Sequence, residues 1–238
     1  MGGQKSLILE GMTMILALSA CARFPVIEYN GAVHEGEATY YEDGLLGNCS
    51  YPPDTRPAYH GAMNRTDYAG SRACGAYVTV RRKNDPRKRE VTVLIDNQCP
   101  ECAPGDIDLS PSAFERVADR VEGRVAIEWN YVAAPAAGPL RYRWKEGSSR
   151  WWFQILVMNH QYAVSKMEMQ APGTDWVALK RKEHNYWEAR NGIGKSEGPF
   201  NIRTTDVMGH TMTDYNLAVM PGRIIDGECK DKGPLVCP

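Results

Sequence analysis

Phenylalanine is scarce in this chain: 4 Phe stand against 12 Tyr and 6 Trp. Aromatic rings with a polar handle suit a wet, sugar-facing surface better than one large dry core. Net charge is almost absent as well, −1 over 238 residues, which removes the basic excess expected of a nucleic-acid-binding chain. No apolar run reaches the roughly 20 residues of a membrane-spanning helix. Cys99-Pro100-Glu101-Cys102 has no second Cys-x-x-Cys and no His-x-x-x-His at a suitable distance, so a zinc ligand set is not assembled. No βαβ pattern surrounds that motif, as a thioredoxin-type redox site requires. Internal repeats are missing too. Neither a cofactor nor a metal is expected.

What is present begins with an export signal. Lys5 supplies a thin positive region, residues 7–20 are mostly apolar, and Leu18-Ser19-Ala20-Cys21 reads as a lipoprotein cleavage box. Residues 1–21 are therefore read as a signal peptide and Cys21 as a lipidation site, which would hold the mature protein at the cell surface or outer membrane; ordinary secretion is the alternative. Residues 22–33 read as a short tether. Setting Cys21 aside from the 7 cysteines leaves an even set, as expected in an oxidising compartment. Proximity pairs Cys99 with Cys102 and Cys229 with Cys237, leaving Cys49 with Cys74.

The length allows two domains of about 100 residues, each with a core of its own. Residues 1–138 carry net charge −4 and residues 139–238 net +3, so the second half could favour an acidic wall polymer such as pectin or peptidoglycan, or simply carry a solvated basic surface. Short β-rich runs at 38–41, 76–80, 91–95 and 125–129, separated by turn residues, predict a small β-barrel. The basic stretch 81–89 reads as a hairpin tip. One helix stands out, with Ser110 as N-cap, Pro111 at its first position, and Phe114, Val117, Ala118 and Val121 on one face, ending before Gly123. Residues 133–139 are small, Pro-rich and uncharged, as in a stiff linker. Beyond them, runs at 152–157, 164–169, 176–179, 201–205 and 216–219 predict a β-sandwich of about 90 residues.

Two places could carry chemistry. Asp96 follows a buried-looking strand and Asp108 precedes the helix, so a scaffold could hold both carboxyls in a cleft; the plainer reading is that each caps a turn. Glycoside hydrolysis needs two such groups, and Glu101 and Asp106 are spare acids nearby. In the second half, Lys145-Glu146-Gly147-Ser148-Ser149-Arg150-Trp151-Trp152 sets two tryptophans behind a turn-forming Gly-Ser-Ser. Neighbours on a regular strand face opposite ways, so both rings can be exposed only if that turn kinks the backbone. Two exposed indoles would make a stacking platform for sugar rings.

These residues carry a family resemblance. Gly36-Glu37-Ala38-Thr39-Tyr40-Tyr41, the segment 96–114 with Asp108-Leu109-Ser110-Pro111-Ser112-Ala113-Phe114, and the Lys145 to Trp152 run followed by Asn159-His160-Gln161-Tyr162 closely resemble microbial expansins over roughly residues 34–220. The resemblance implies an all-β chain: a six-stranded double-psi β-barrel at 34–134, similar to family 45 glycoside hydrolases, a linker at 135–139, and a cellulose-binding immunoglobulin-like β-sandwich at 140–228; residues 229–238 read as a tail with no counterpart in the family. It also implies a monomer that loosens plant-type walls by disturbing noncovalent contacts between polysaccharides, without hydrolysis. Its partners would be cellulose, xyloglucan, acidic wall polymers or peptidoglycan, with no nucleic acid and no membrane contact except through a lipid on Cys21. The alternative is an enzyme that cleaves β-1,4-glucan or peptidoglycan.

By motif position, Thr39, Asp96 and Asp108 match the family's polar cleft, with Asp108 at the place of the hydrolases' general acid. Trp151 and Trp152 match two of its three stacking aromatics, and Lys145 joins the expected sugar contacts. For the third ring, direct spacing selects His184, while Tyr186 lies two residues on; Tyr186 is the expected working ring. Gln98 departs from the family, which commonly has a tyrosine there. The Cys99-x-x-Cys102 arrangement resembles fungal and plant-like relatives, implying a disulfide that stiffens the loop carrying Asp108.

Overall fold

A computed structural model describes residues 27–42, 47–135 and 138–228. Cys21 with the signal segment, and the Cys229 to Cys237 pairing, lie outside the described residues.

The first half closes into a barrel of β1 (His34–Tyr40), β2 (His60–Asn64), β3 (Tyr77–Arg82), β4 (Glu90–Cys99), β5 (Ile107–Leu109) and β6 (Val125–Val132), ordered β1-β5-β2-β4-β3-β6. Two parallel pairs, β1 with β5 and β2 with β4, are set among antiparallel ones, which is the double-psi arrangement. Along β6 the burial alternates strictly, with Val125, Ile127, Trp129 and Tyr131 inside, as a half-buried strand requires. Strands β2 and β5 escape a sequence reading. The first, His-Gly-Ala-Met-Asn, is buried throughout, and the second has three residues.

Helix α1 (Arg65–Tyr68) is a single turn, and α2 (Pro111–Val117) packs Ala113, Phe114 and Val117 into the barrel. Helix α2 is shorter than expected. Ala118 leaves it in extended conformation, and Val121, read as part of the apolar face, falls in a separate 3-10 turn and is 94% exposed. Ser110 stands at the N-cap, but its hydroxyl donates to the Ala58 carbonyl at 3.1 Å instead of capping the helix. In the basic hairpin tip, Asp85 accepts from the Arg87 and Arg89 backbone and the Arg89 side chain, so the tip satisfies itself.

The second half is a two-sheet sandwich. One sheet has the order β10 (Val177–Ala178), β9 (Val164–Gln170), β13 (Phe200–Asp206), β14 (Thr211–Leu217). The other runs β11 (Lys180–Arg181), β12 (Trp187–Arg190), β8 (Trp152–Met158), β7 (Arg141–Trp144), β15 (Ile224–Asp226). Strand β14 begins five residues before the expected 216–219 run. Its alternation is masked because one inward position is Asp214, buried and accepting from the Tyr142 hydroxyl at 2.7 Å.

The two halves meet in a packed junction. The barrel core takes in Leu156, Met158, Ala163 and Tyr186 of the sandwich. The Ser71 hydroxyl donates to the Lys182 carbonyl at 2.7 Å, Tyr68 to Glu183 at 2.8 Å and Ser50 to His184 at 2.9 Å. Arg181 spans the junction, donating to the Ser71 carbonyl at 2.7 Å and to the Val164 carbonyl, with its guanidinium 4.3 Å from the Trp187 ring centroid. Ile27 is buried in the barrel core, while the Tyr29 ring lies 5.7 Å from Tyr131 and 4.9 Å from Tyr162. Apolar Ile27 and Tyr29 thus make the end of the expected tether a strap across both halves.

Candidate functional site

The pairing register sets one row of side chains across the outside of the barrel. Thr39 of β1 stands opposite Asp108 of β5, Asp108 opposite Ala62 of β2, and Ala62 opposite Asn97 of β4. With strands about 4.8 Å apart, this row spans about 14 Å. The Thr39 hydroxyl donates to Asp108 Oδ1 at 2.5 Å. Partial burial pushes the Asp108 carboxyl above its ordinary range, as does the charge of Glu101, while the Thr39 bond and Arg124 pull the other way. The result is a half-buried acid aimed at solvent. Asp106 is a structural brace: its carboxylate accepts from the backbone of Glu37 at 2.8 Å and Ala103 at 3.1 Å. It holds the loop closed by the disulfide Cys99–Cys102. Cys49–Cys74 is bonded as well.

Asp96 stands apart from that row. The β2–β4 register steps from Gly61↔Ile95 to Ala62↔Asn97, so Asp96 is the extra residue of a bulge. It is 0% exposed and is held by Arg56 at 3.0 Å and His60 Nδ1 at 3.2 Å. Asn97 takes the outward place. Its Oδ1 accepts from the Asn48 backbone at 2.7 Å, and Asn48 Nδ2 donates to the Tyr68 hydroxyl at 2.9 Å and Gln98 Oε1 at 3.3 Å. With Gly47 and Pro100, these amides line an open depression of ≈ 350 Å³. Asn48 and Asn97 were not singled out from the sequence, because an Asn beside a turn reads as turn chemistry.

On the sandwich, the Lys145 to Trp152 run makes the expected kink in a particular way. Ser149 and Trp152 exchange backbone hydrogen bonds at 2.8 and 3.0 Å, so Arg150 and Trp151 form the two-residue tip of a hairpin. Trp151 is 57% exposed, and Trp152 is the partly exposed first residue of β8. The tip is held from behind by the Arg150–Glu197 ion pair, with Lys195 Nζ 5.6 Å from the Trp151 ring centroid.

Tyr186, the expected third ring, is 5% exposed and packs into the barrel core. Residues two apart share a face only along a continuous strand. A turn from Lys182 to Asn185 intervenes, with Asn185 at φ 66 and a Lys182–Tyr186 backbone bond. His184 is the partly exposed ring, with Nε2 3.2 Å from Gln154 Oε1. Burial, helped by Lys145 and Lys182, pushes its pKa down, favouring the neutral imidazole. Lys145 places its ammonium 5.4 Å from the Tyr186 ring centroid. Barrel and sandwich surfaces meet where Asn48 Nδ2 reaches the Glu183 carbonyl at 3.4 Å.

A double-psi barrel with an acid on its outer face, docked against a sandwich that displays tryptophans, defines the two-domain architecture of expansins. Residues 33–129 match the family described as lytic transglycolase, and residues 140–220 match the expansin C-terminal domain. Over 190 residues the chain is 36% identical to Expansin-YoaJ of Bacillus subtilis (strain 168), covering 76% of this chain and 77% of the relative. It is 29% identical to Expansin-B3 of Arabidopsis thaliana, covering 67% of each. The crystal structure of an apo-expansin from Clavibacter michiganensis superposes with TM-score 0.74 at 32% identity, covering 83% of this chain and 96% of that one. A mutant of the Clavibacter expansin in complex with cellohexaose superposes with TM-score 0.75 at 31% identity, covering 84% and 97%. The chain belongs to the expansin family.

Proposed function

We propose that this protein loosens plant-type cell walls without hydrolysis, binding cellulose through Trp151, Trp152 and His184 of the sandwich while the Thr39–Asp108 pair and the neighbouring amides engage a glucan strand on the barrel. The observation that carries the reading is the lone carboxyl of the outer row: Asp108 is bonded to Thr39, whereas Asp96, the natural second acid, is closed in an ion pair with Arg56. Cleavage of a glycoside needs an acid and a second carboxylate placed as base or nucleophile. An acid alone can trade hydrogen bonds with glucan hydroxyls, each worth about 0.5–1.5 kcal/mol net, and so compete strand by strand with glucan–glucan contacts. The relative solved with cellohexaose supports a β-linked glucan as ligand. The protein works outside the cell as a monomer, either secreted or tethered by a lipid on Cys21.

The second reading, cleavage of peptidoglycan or β-1,4-glucan, is favoured by the lytic transglycolase likeness of the barrel and by the raised proton affinity of Asp108. One experiment separates the two. Asp108→Asn keeps shape but removes the acid, and is expected to abolish weakening of filter paper while cellulose binding stays at wild-type level, with no reducing ends released by either protein. Steady Asp108-dependent release of oligosaccharide from cellulose or peptidoglycan would establish the hydrolase reading instead.

A further inference from the structure

Glu188 is an anion on the outer face of a sheet, yet it is only 7% exposed. Its neighbours on β12, Trp187 and Ala189, point into the sandwich core, so Glu188 points out, opposite Gln154 of β8 and Lys180 of β11. Side chains close over it. One carboxylate oxygen accepts from Trp152 Nε1 at 3.1 Å and from Gln154 Nε2 at 2.9 Å; the other faces Lys182 Nζ at 3.4 Å and Arg190 Nε at 3.6 Å. Gln154 in turn presents its Oε1 to His184 Nε2 at 3.2 Å. A chain of bonds therefore runs Trp152–Glu188–Gln154–His184, from the hairpin tip to the β11–β12 turn.

The indole N–H is the single polar handle of a tryptophan. A bond from a carboxylate at that edge restrains the ring's rotation while leaving its faces open, and bonds to a charged acceptor are the stronger kind. The bonds from Gln154 and Trp152, with the charge of Lys182, hold the Glu188 pKa at about 2, so the group stays an anion at neutral and mildly acidic pH. Rings fixed before the ligand arrives lose less entropy on binding.

We propose that Glu188 is a positioning residue for glycan binding: it sets the plane of the Trp152 indole and, through Gln154, seats His184, so that groups from a strand and a turn present one surface. The inference rests on the reading of Trp151 and Trp152 as sugar-stacking groups. It assigns Glu188 no contact with the sugar.

The test uses the full mature chain as wild type, Glu188→Val, Glu188→Gln and Trp151→Ala/Trp152→Ala. Three quantities are measured: cellulose-binding isotherms, fluorine NMR of fluorotryptophan-labelled protein with the Trp152 signal assigned by Trp152→Phe, and melting temperature. Glu188→Val is expected to weaken binding about tenfold, equivalent to about 1.4 kcal/mol, and to shift or broaden the Trp152 signal while the remaining tryptophan signals hold. Glu188→Gln keeps a carbonyl oxygen for the indole and is expected to recover most of the affinity. If the double tryptophan variant loses binding but Glu188→Val binds like wild type, or leaves the Trp152 signal unmoved, the role of Glu188 is overturned alone. If the double variant itself binds normally, the stacking reading falls first. Should Glu188→Val fail to fold, Glu188→Ala takes its place: weakened binding with a shifted or broadened Trp152 signal supports the proposal, and wild-type binding or an unmoved signal overturns it.

Discussion

Asp108 and Asp96 show how one residue type acquires opposite fates from a single step of register. Asp108 keeps its place in a regular row and stays half-exposed, whereas Asp96, the extra residue of the bulge, is fully buried against Arg56 and His60. Motif position could find both residues, but not the bulge, since a one-residue offset leaves no mark in composition. The proton affinity of Asp108 makes a stability prediction with a definite sign. Burial raises its pKa above the unfolded value near 3.8, so over the window above 3.8 the folded state holds more protons than the unfolded one and stability falls as pH rises through it. Asp108→Asn is therefore expected to raise the melting temperature at pH 7, with the gain shrinking as pH falls through that window and gone below 3.8. A melting series from pH 3 to pH 7 on both proteins checks this, and an equal gain at every pH would trace the effect to packing instead.

At the scale of elements, strands with outward polar residues and inward apolar ones were legible, and strands buried on both faces or only three residues long were not. Strand β13, with Phe200, Ile202, Thr204 and Asp206 inward, was readable because its first inward residues are large and apolar. The Gly-Ser-Ser-Arg-Trp-Trp run announced a kink, but not that a loop 40 residues further on would brace it. That loop depends on Gly192, whose φ is +67 and whose added Cβ would come 1.8 Å from the Arg150 carbonyl oxygen and 3.4 Å from the Trp151 Cα. No flexible side chain can yield there, because the nearest atoms are backbone. Gly192→Ala is expected to displace the hairpin tip, costing about 1–3 kcal/mol for backbone strain and weakening cellulose binding several-fold. Calorimetry and a binding isotherm measure the two effects, and unchanged affinity would show that Trp151 does not depend on this support.

Across the whole molecule, the junction makes barrel and sandwich one body, so that the acid row and the tryptophan tip keep a fixed relation to each other. Sequence reading placed a linker between two domains but could not see the junction, since its hydrogen bonds run to backbone carbonyls of residues 182–184 and those acceptors carry no sequence signature. His160 is its sensitive point. The ring is buried, its Nδ1 donates to the Tyr162 carbonyl at 2.9 Å, and its Nε2 is left to accept from the Tyr51 hydroxyl across the junction at 3.4 Å. Gly75 packs so closely that an added Cβ would lie 2.3 Å from Nε2. A proton on Nε2 would remove that acceptor and place a second cation near Arg181; burial, then Arg181, lowers the His160 pKa from 6.5 to about 4. Between these values the unfolded chain binds the proton and the folded one does not, so stability is lost as pH falls from 6.5 to about 4, by about 3 kcal/mol at 1.36 kcal/mol per pKa unit. His160→Gln, which keeps an acceptor but does not titrate, is expected to flatten the difference in unfolding free energy across that window. Parallel denaturant titrations at pH 7, 5.5 and 4 measure it, and identical pH slopes for the two proteins would clear His160 and leave acid sensitivity to the carboxylates.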